Sequence, residues 1–450
     1  MKDLTKGNPL RLIIIFAIPL FIGQIFQLLY SLIDTRIVGE TLGAQALAGV
    51  GATSTLSDLL VGILNGLTNG FAIVIATYFG AKDEAGLKKA LGTTYVLGLG
   101  IAAITSVISL IFLDPILAFL NVSPEIYADA KAYISVILAG LIAATWYNIL
   151  AAALRAMGDS FTPLLFLILS TILNVGLDYL FILYFHAGVM GAAIATVLSQ
   201  LSSSLLCFVY MRKKYPHLNL HASDFRIDGA ICKKMLVTGS SMAFMLSFVQ
   251  LGTLALQTSI NSFGSQIIVA HAAARKAITI FILPCSCLGT TLATYCGQNL
   301  GAGTYSRIRK GIRSTLLLMG VWYFMVLLLA NTISPFLIRS ITASTDPVII
   351  DTATLYLRVD TSVYFIPFII SLFRNSMQGF GDSKTPVISS SLELLIKIIV
   401  AYVFAPRYGY FAIILAEPVS WAVMVIPLII GMVRNPLLKR EDETYNEITN

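Results

Sequence analysis

Charge is what this sequence has least of. Across 450 residues, Asp, Glu, Lys and Arg together reach 12%, while hydrophobic residues reach 57%. Soluble chains carry about 25% charged residues. So few charges cannot cover a soluble body of this size, and disorder, coiled coil and collagen are excluded on the same ground. Histidine is scarce too: His186, His217, His221 and His271 are scattered without metal-ligand spacing, which argues against a membrane-embedded metalloenzyme. The five cysteines (Cys207, Cys232, Cys285, Cys287 and Cys296) form an odd set with no framework spacing, so structural disulfides are not expected. Cys285-x-Cys287 is no zinc motif, and these side chains read as small buried hydrophobes. No G-x-x-x-x-G-K-[ST] loop is present, which removes the machinery of an ATP-driven pump. No cofactor is expected. The first apolar stretch is long and lacks a small-residue cleavage site after a short core, so no cleavable signal peptide is expected.

What is present is a series of long apolar stretches. A spanning helix needs about 20 predominantly apolar residues. Twelve such stretches are expected, near 11–37, 46–75, 90–113, 130–153, 162–184, 190–211, 235–259, 266–296, 314–336, 350–373, 386–405 and 409–432. The net charge of +7 could suggest nucleic acid, but the basic residues sit in short clusters between apolar stretches. Lys and Arg concentrate in cytoplasmic loops of membrane proteins. One set of loops and tails, from Lys2, Lys6 and Arg11 to Arg434, Lys439 and Arg440, holds 22 of the 30 basic residues. The alternate loops hold only Lys131, Arg339 and Arg407. Both termini are therefore expected in the cytoplasm, with an even number of spans in the cell membrane. The polar stretch 212–234 reads as a cytoplasmic linker between a six-helix lobe at 1–211 and another at 235–450, the latter with a cytoplasmic tail.

The halves repeat each other. Gly158-Asp159-Ser160-Phe161-Thr162-Pro163 returns as Gly381-Asp382-Ser383-Lys384-Thr385-Pro386, an offset of 223. Gly80-Ala81 matches Gly301-Ala302, Gly43 matches Gly264, and Gly188 matches Gly409, each at an offset of 221. Six spans per half give the second copy the orientation of the first. Such parallel repeats typically build transporters with a central site between the lobes. In the repeated turn, Gly and Asp stop one helix, Thr can cap the next, and Pro fits its first turn. Gly379-Phe380-Gly381-Asp382 also matches the GxGD of intramembrane aspartyl proteases. The first copy lacks the leading Gly, however, and the Asp belongs to a repeated turn.

These turns, together with Pro19, Asp34, Asn174-x-x-x-Asp178, the run from Gly188 to Thr196, and Ala416-Glu417-Pro418-Val419-Ser420-Trp421, resemble the multidrug and toxic compound extrusion (MATE) family. The resemblance runs from about residue 8 to 435. It implies an all-α, V-shaped fold of twelve transmembrane helices in two pseudo-symmetric six-helix bundles. It also implies an antiporter, not an enzyme, that exports amphipathic organic compounds or drugs in exchange for H⁺ or Na⁺. A monomer in the lipid bilayer is expected to suffice, with no nucleic-acid partner. The closest rival is a lipid-linked precursor flippase on a related two-lobe fold; it would show a more cationic cavity, and Arg275, Lys276 and Arg374 keep it open. A channel would be expected to oligomerise around a pore.

A charge at bilayer depth costs at least about 2.5–3.5 kcal/mol, so each needs a reason. Asp34 lies on the first span and Asp178 on the fifth, with Asn174 one turn before it and Thr196 on the sixth. Two carboxylates, an amide and a hydroxyl form a hard-oxygen set suited to Na⁺, and desolvated carboxylates can equally take up H⁺. The bland alternatives are that Asp178 only accepts helix–helix hydrogen bonds and that Asp34 pairs with Arg36. The family resemblance makes this set the cation-coupling site, with a backbone carbonyl at Ala192. It also ties bending of the first helix, at the position of Pro19, to substrate release; the alternative is a static kink. Gln24, Gln27, Tyr30 and Asp34 step along one face of that helix and read as a substrate and gating stripe. Asp58 is a lesser candidate. In the second half, Asn174 becomes Lys397, Asp178 becomes Ala401 and Thr196 becomes Glu417. Lys397 is expected to pair with Glu393 or Glu417, closing the equivalent site as a structural ion pair.

Overall fold

The computed structural model describes residues 3–443; Lys2 and the tail beyond Glu443 lie outside them. Among the described residues the secondary structure is helical throughout. The principal helices are α1 (Pro9–Gly80), α2 (Glu84–Ile111), α3 (Leu113–Phe119), α4 (Pro124–Ala139), α5 (Leu141–Ala156), α6 (Phe161–Tyr179), α7 (Gly188–Lys214) and α8 (Gly229–Ile260). They continue with α9 (Ser265–Gly301), α10 (Tyr305–Thr342), α11 (Pro347–Ser362), α12 (Phe365–Gly379), α13 (Lys384–Ile399), α14 (Ala405–Tyr408) and α15 (Tyr410–Arg434).

Among the described residues, nine helical stretches are long and apolar enough to cross a bilayer, and the bent pairs α4–α5 and α11–α12, angled at 44° and 53°, supply one span each. The 72-residue α1 counts twice, because Gly43 breaks it with φ 86° and ψ 179°. Twelve spans result, and the chain is a multi-span membrane protein. The described residues cluster into two compact units, one built mainly by Phe16–Ala243 and the other by Leu4–Ile15 with the residues from Phe244 onward. In the second unit the N-terminal arm is pinned by side chains: the Leu4 amide donates to Gln298 Oε1 at 3.0 Å, and Arg307 donates to the Gly7 carbonyl at 2.9 Å.

The repeat seen in the sequence is written into the backbone. Gly264 takes the same strained geometry as Gly43, with φ 88°. Gly158 and Gly381 pair at φ 87° and 90°, and Gly188 and Gly409 at φ 59° and 66°. These left-handed conformations suit glycine because it has no Cβ. A further correspondence has no obvious sequence signal. Single π-helical turns follow α6 at Leu180–Tyr184 and α13 at Val400–Phe404. The capping of the repeated turn differs from expectation. Thr162 and Thr385 lie inside their helices, and Asp159 and Asp382 do the capping. Asp159 accepts from the Thr162 amide at 3.0 Å and its hydroxyl at 2.8 Å; Asp382 accepts from Thr385 in the same way, at 3.1 and 2.7 Å. A carboxylate two residues before the helix satisfies two donors at once, one on each oxygen.

Within the first unit, α1 and α8 pack through small residues. A Cβ at Gly66 would lie 2.7 Å from the Ala243 Cα, and one at Gly70 would lie 2.6 Å from the Gly239 amide nitrogen. The two helices therefore meet along a small-x-x-x-small seam on each side, the device that lets backbones approach inside a membrane. Gly70→Val should force the seam apart. A fall in the yield of monodisperse protein, with a lowered Tm, is expected; a wild-type melting curve would contradict the seam.

Candidate functional site

α1 sets out the site in layers along its length. The helix stays helical through Pro19, since Gly43 carries its non-helical dihedrals. Pro19 and Gln24 line a polar cavity of about 170 Å³ in the first unit, with Asn69, Asn148, Arg155 and Ser160. Gln27, Asn65, Tyr147 and Asn148 border both this cavity and a second of about 140 Å³, which reaches Tyr30 and Thr196. Gln24 and Gln27 thus face open polar space. Past Tyr30 stands Asp34, and past Asp34 the packing turns apolar: Ile37, Val38, Ala46, Ile182, Val189 and Ala192 form a buried cluster. The carboxyl groups lie between a polar approach on one side and an apolar seal on the other.

The predicted side chains around them come together. The carboxyls of Asp34 and Asp178 are within hydrogen-bonding contact. Each keeps an Oδ1 that is buried without a hydrogen-bond partner. Asp178, Asn174 and Ala192 are all 0% exposed. Tyr30 donates its hydroxyl to Thr196 Oγ1 at 3.1 Å. With the Asn174 amide turned so that its nitrogen meets the carboxylate, it donates to Asp178 Oδ2 at 3.1 Å and accepts from the Thr196 backbone N–H at 3.3 Å. That orientation satisfies an acceptor-only carboxylate. It also draws off the N–H that the Ala192 carbonyl would receive in a regular helix. Arg36 turns away and pairs with Glu40 at 2.7 Å, in the open. Asp58 is exposed. Tyr133 on α4 joins the site electrostatically, close to Asp34 and Asp178, and sequence reasoning missed it. Its repeat mate at offset 223 is Tyr356, which was a usable signal.

In the second unit, Glu393, Lys397 and Glu417 also meet. Lys397 Nζ lies 2.9 Å from Glu393 Oε1 and 3.0 Å from Glu417 Oε1. Arg275 pairs with Glu417 at 3.2 Å, and Arg374 approaches Glu393 at 3.8 Å. The charges alternate in a chain that runs from buried Arg374 to half-buried Arg275. Asp360, unforeseen from the sequence, is 0% exposed with both carboxylate oxygens lacking hydrogen bonds. Its charged neighbours are Glu417, Arg275 and Lys397. His271 meets the Tyr410 hydroxyl at 3.0 Å beside this chain. Lys276 stays exposed.

Comparisons with known proteins agree with this architecture. The family model MatE matches residues 19–180 and 241–403. The chain is 28% identical over 308 residues to the probable multidrug resistance protein YpnP of Bacillus subtilis (strain 168), covering 68% of each. It is 22% identical over 447 residues to the multidrug export protein MepA of Staphylococcus aureus (strain N315), covering 97% of this chain and 98% of the relative. Among solved structures it is similar to MATE in a bent conformation, with a TM-score of 0.90 at 22% identity over 97% of both chains. It is also similar to a MOP superfamily transporter from Pyrococcus furiosus described as having a binding pocket of reversed polarity, with a TM-score of 0.89 at 23% identity, covering 97% of this chain and 98% of that one. At these identities the structural likeness speaks to the fold alone.

Proposed function

The chain belongs to the MatE family, and from that premise we propose a secondary active antiporter that exports amphipathic organic compounds in exchange for H⁺ or Na⁺. It is a transporter rather than an enzyme. The names of the relatives, multidrug resistance and export proteins, support the cargo class. The coupling cation binds in the first unit, on Asp34, Asn174, Asp178, Thr196 and the Ala192 carbonyl. One observation carries this reading: two carboxyls in contact inside an apolar helix bundle, with unpartnered oxygens and, among the described residues, no basic partner beside them. Two buried like charges are costly together, and a proton or a small hard cation relieves them. The polar cavities leading to Tyr30 and Thr196 give such an ion an aqueous approach.

Binding acts on α1. When the carboxylates are free they repel each other; when a cation bridges them they draw α1 toward α6. The helix can answer because Pro19 leaves one backbone hydrogen bond unmade and Gly43 is already non-helical. Gln24, Gln27 and Tyr30 ride on the same helix, so the ion's arrival changes the lining that meets the cargo. The Lys/Arg distribution supports a cytoplasmic-membrane location with both termini in the cytoplasm. One chain carries the whole site. By the sequence repeat the lobes divide as 1–211 and 235–450 with the linker at 212–234, while Leu4–Ile15 packs in the second unit and the linker in the first. The second unit's Glu393–Lys397–Glu417 group is a structural ion pair, so coupling stays in the first unit.

The decisive measurement is efflux of a fluorescent amphipathic dye from proteoliposomes of the full chain, with a pH gradient and a Na⁺ gradient imposed separately. Uphill movement with one of the gradients is expected; none with either would end the antiport reading. A second reading, a flippase for lipid-linked precursors, has one observation in its favour. Arg155 lines the polar cavity, and among the described residues no carboxylate pairs with it. An anionic lipid-linked probe moved in preference to the dye would favour that reading.

A further inference from the structure

The segment between the halves covers a cavity that the transport site does not use. The short helical turn Ala222–Phe225 packs on α2. Gly92 makes this possible, because a Cβ there would collide with the Asp224 carbonyl. Beneath the turn lies a cavity of about 400 Å³ in the first unit, within the roughly 300–1,000 Å³ range of ligand pockets. Its walls are aromatic. Tyr95 faces Phe225 with ring centroids 6.5 Å apart, and Trp146 faces Phe208 at 5.9 Å.

Among the described residues, two buried polar atoms on the lining side chains lack hydrogen-bond partners, and one exposed lining cation has no carboxylate. Tyr95 is 8% exposed, and its hydroxyl is buried without a hydrogen bond. The Asn219 side-chain oxygen is buried without one as well. Arg212 lies over the Phe208 ring, 5.6 Å from its centroid, and no carboxylate pairs with it among the described residues. A buried hydroxyl or amide oxygen without a partner is unfavourable by about 1–3 kcal/mol. A donor, an acceptor and a cation on aromatic walls describe the complement of an amphiphile: an anionic head carrying a hydroxyl, and an apolar tail.

The position selects the amphiphile. The cavity reaches the Lys/Arg-rich end of α7, where Lys213 and Lys214 follow Arg212. Phe225 and Ile227 on the covering segment are 42% and 52% exposed. Large exposed apolar side chains on an otherwise polar segment fit a surface resting in the headgroup zone. Val96 and Val209, next to the cavity's own residues, are exposed apolar side chains of spanning helices. Basic pockets between spanning helices on this side of a membrane suit anionic headgroups.

We propose that this cavity is a binding site for an anionic glycerophospholipid. The phosphate sits at Arg212, a headgroup hydroxyl donates to Asn219, the Tyr95 hydroxyl donates to an ester carbonyl, and an acyl chain lies along the wall formed by Trp146 and Phe208. The lipid fastens the 216–225 segment to α2 and α7 and is not cargo. The site stands independently of the antiport reading.

Trp146 provides the readout. The full chain is reconstituted in phosphatidylcholine vesicles containing a minor fraction of phosphatidylglycerol, with one lipid or the other brominated on its acyl chains. The Trp146 contribution is the quenching lost in Trp146→Phe. Brominated phosphatidylglycerol should quench it well beyond its mole fraction, whereas brominated phosphatidylcholine should not. Arg212→Gln should reduce that preference about fivefold, and Tyr95→Phe should reduce it less, with the melting curves of both variants unchanged. Quenching that simply follows mole fraction for both lipids would overturn the site. So would an undiminished preference in Arg212→Gln, which is exposed and should fold normally.

Discussion

Asp178→Asn should give a protein that is folded, more heat-stable than the parent, and unable to concentrate its cargo. The substitution keeps the shape and leaves Asn174 a partner, but it removes one of two buried carboxyls in contact. Relieving like-charge crowding stabilises the fold; sites strained for function commonly gain stability when disarmed. Transport moves the opposite way. A membrane potential supplies about 2.3 kcal/mol per charge per 100 mV, so one coupled cation can sustain roughly a 50-fold gradient of a neutral cargo. Without the carboxylate pair the cation has no hold on α1, and the gradient should collapse toward unity. The measurements are the steady-state dye ratio across proteoliposomes and Tm on the same preparation. Asp34→Asn should behave alike. An Asp178→Asn protein that still pumps uphill would remove the coupling site, and one that melts lower would mean the carboxyl is a structural acceptor.

Whatever depended on lengths and repeats was readable before the structure. An apolar run of bilayer length has few alternatives, and Gly43 and Gly264 could be matched because their backbone geometry admits little but glycine. The Asp34–Asp178 meeting was readable because a carboxylate in an apolar stretch has to be explained. Asp360 was not. The expected span 350–373 carries it near its middle, but Arg358 stands two residues away and the repeat gives it no acidic mate, since its position at offset 223 is Ile137. Only the fold carries it to 0% exposure beside Arg275 and Lys397. The π turns after α6 and α13 were equally hidden, since they reflect how a helix end packs rather than which residues it holds. Their presence in both halves makes them a property of the fold, although one of them directly follows the Asp178 turn.

Lys397→Ala should be the most destabilising single change in the second unit, by about 3–5 kcal/mol, the usual effect of removing one partner from a buried ion pair. Lys397 is 1% exposed and touches both Glu393 and Glu417. With it, three basic groups (Arg275, Arg374 and Lys397) balance three acidic ones (Asp360, Glu393 and Glu417). Without it, three buried carboxylates share two guanidinium groups. The charge count points to a rescue. In Lys397→Met with Glu417→Gln, Arg374 retains Glu393, Arg275 retains Asp360 as its neighbour, and the balance returns. The double variant should therefore recover much of the lost Tm, a coupling visible as strong non-additivity between the two single changes. If the network only holds the unit together, the rescued protein should also transport. Restored melting with transport still absent would show that a charge at Lys397 or Glu417 moves with the cycle, and the second unit would then need a place in the coupling scheme.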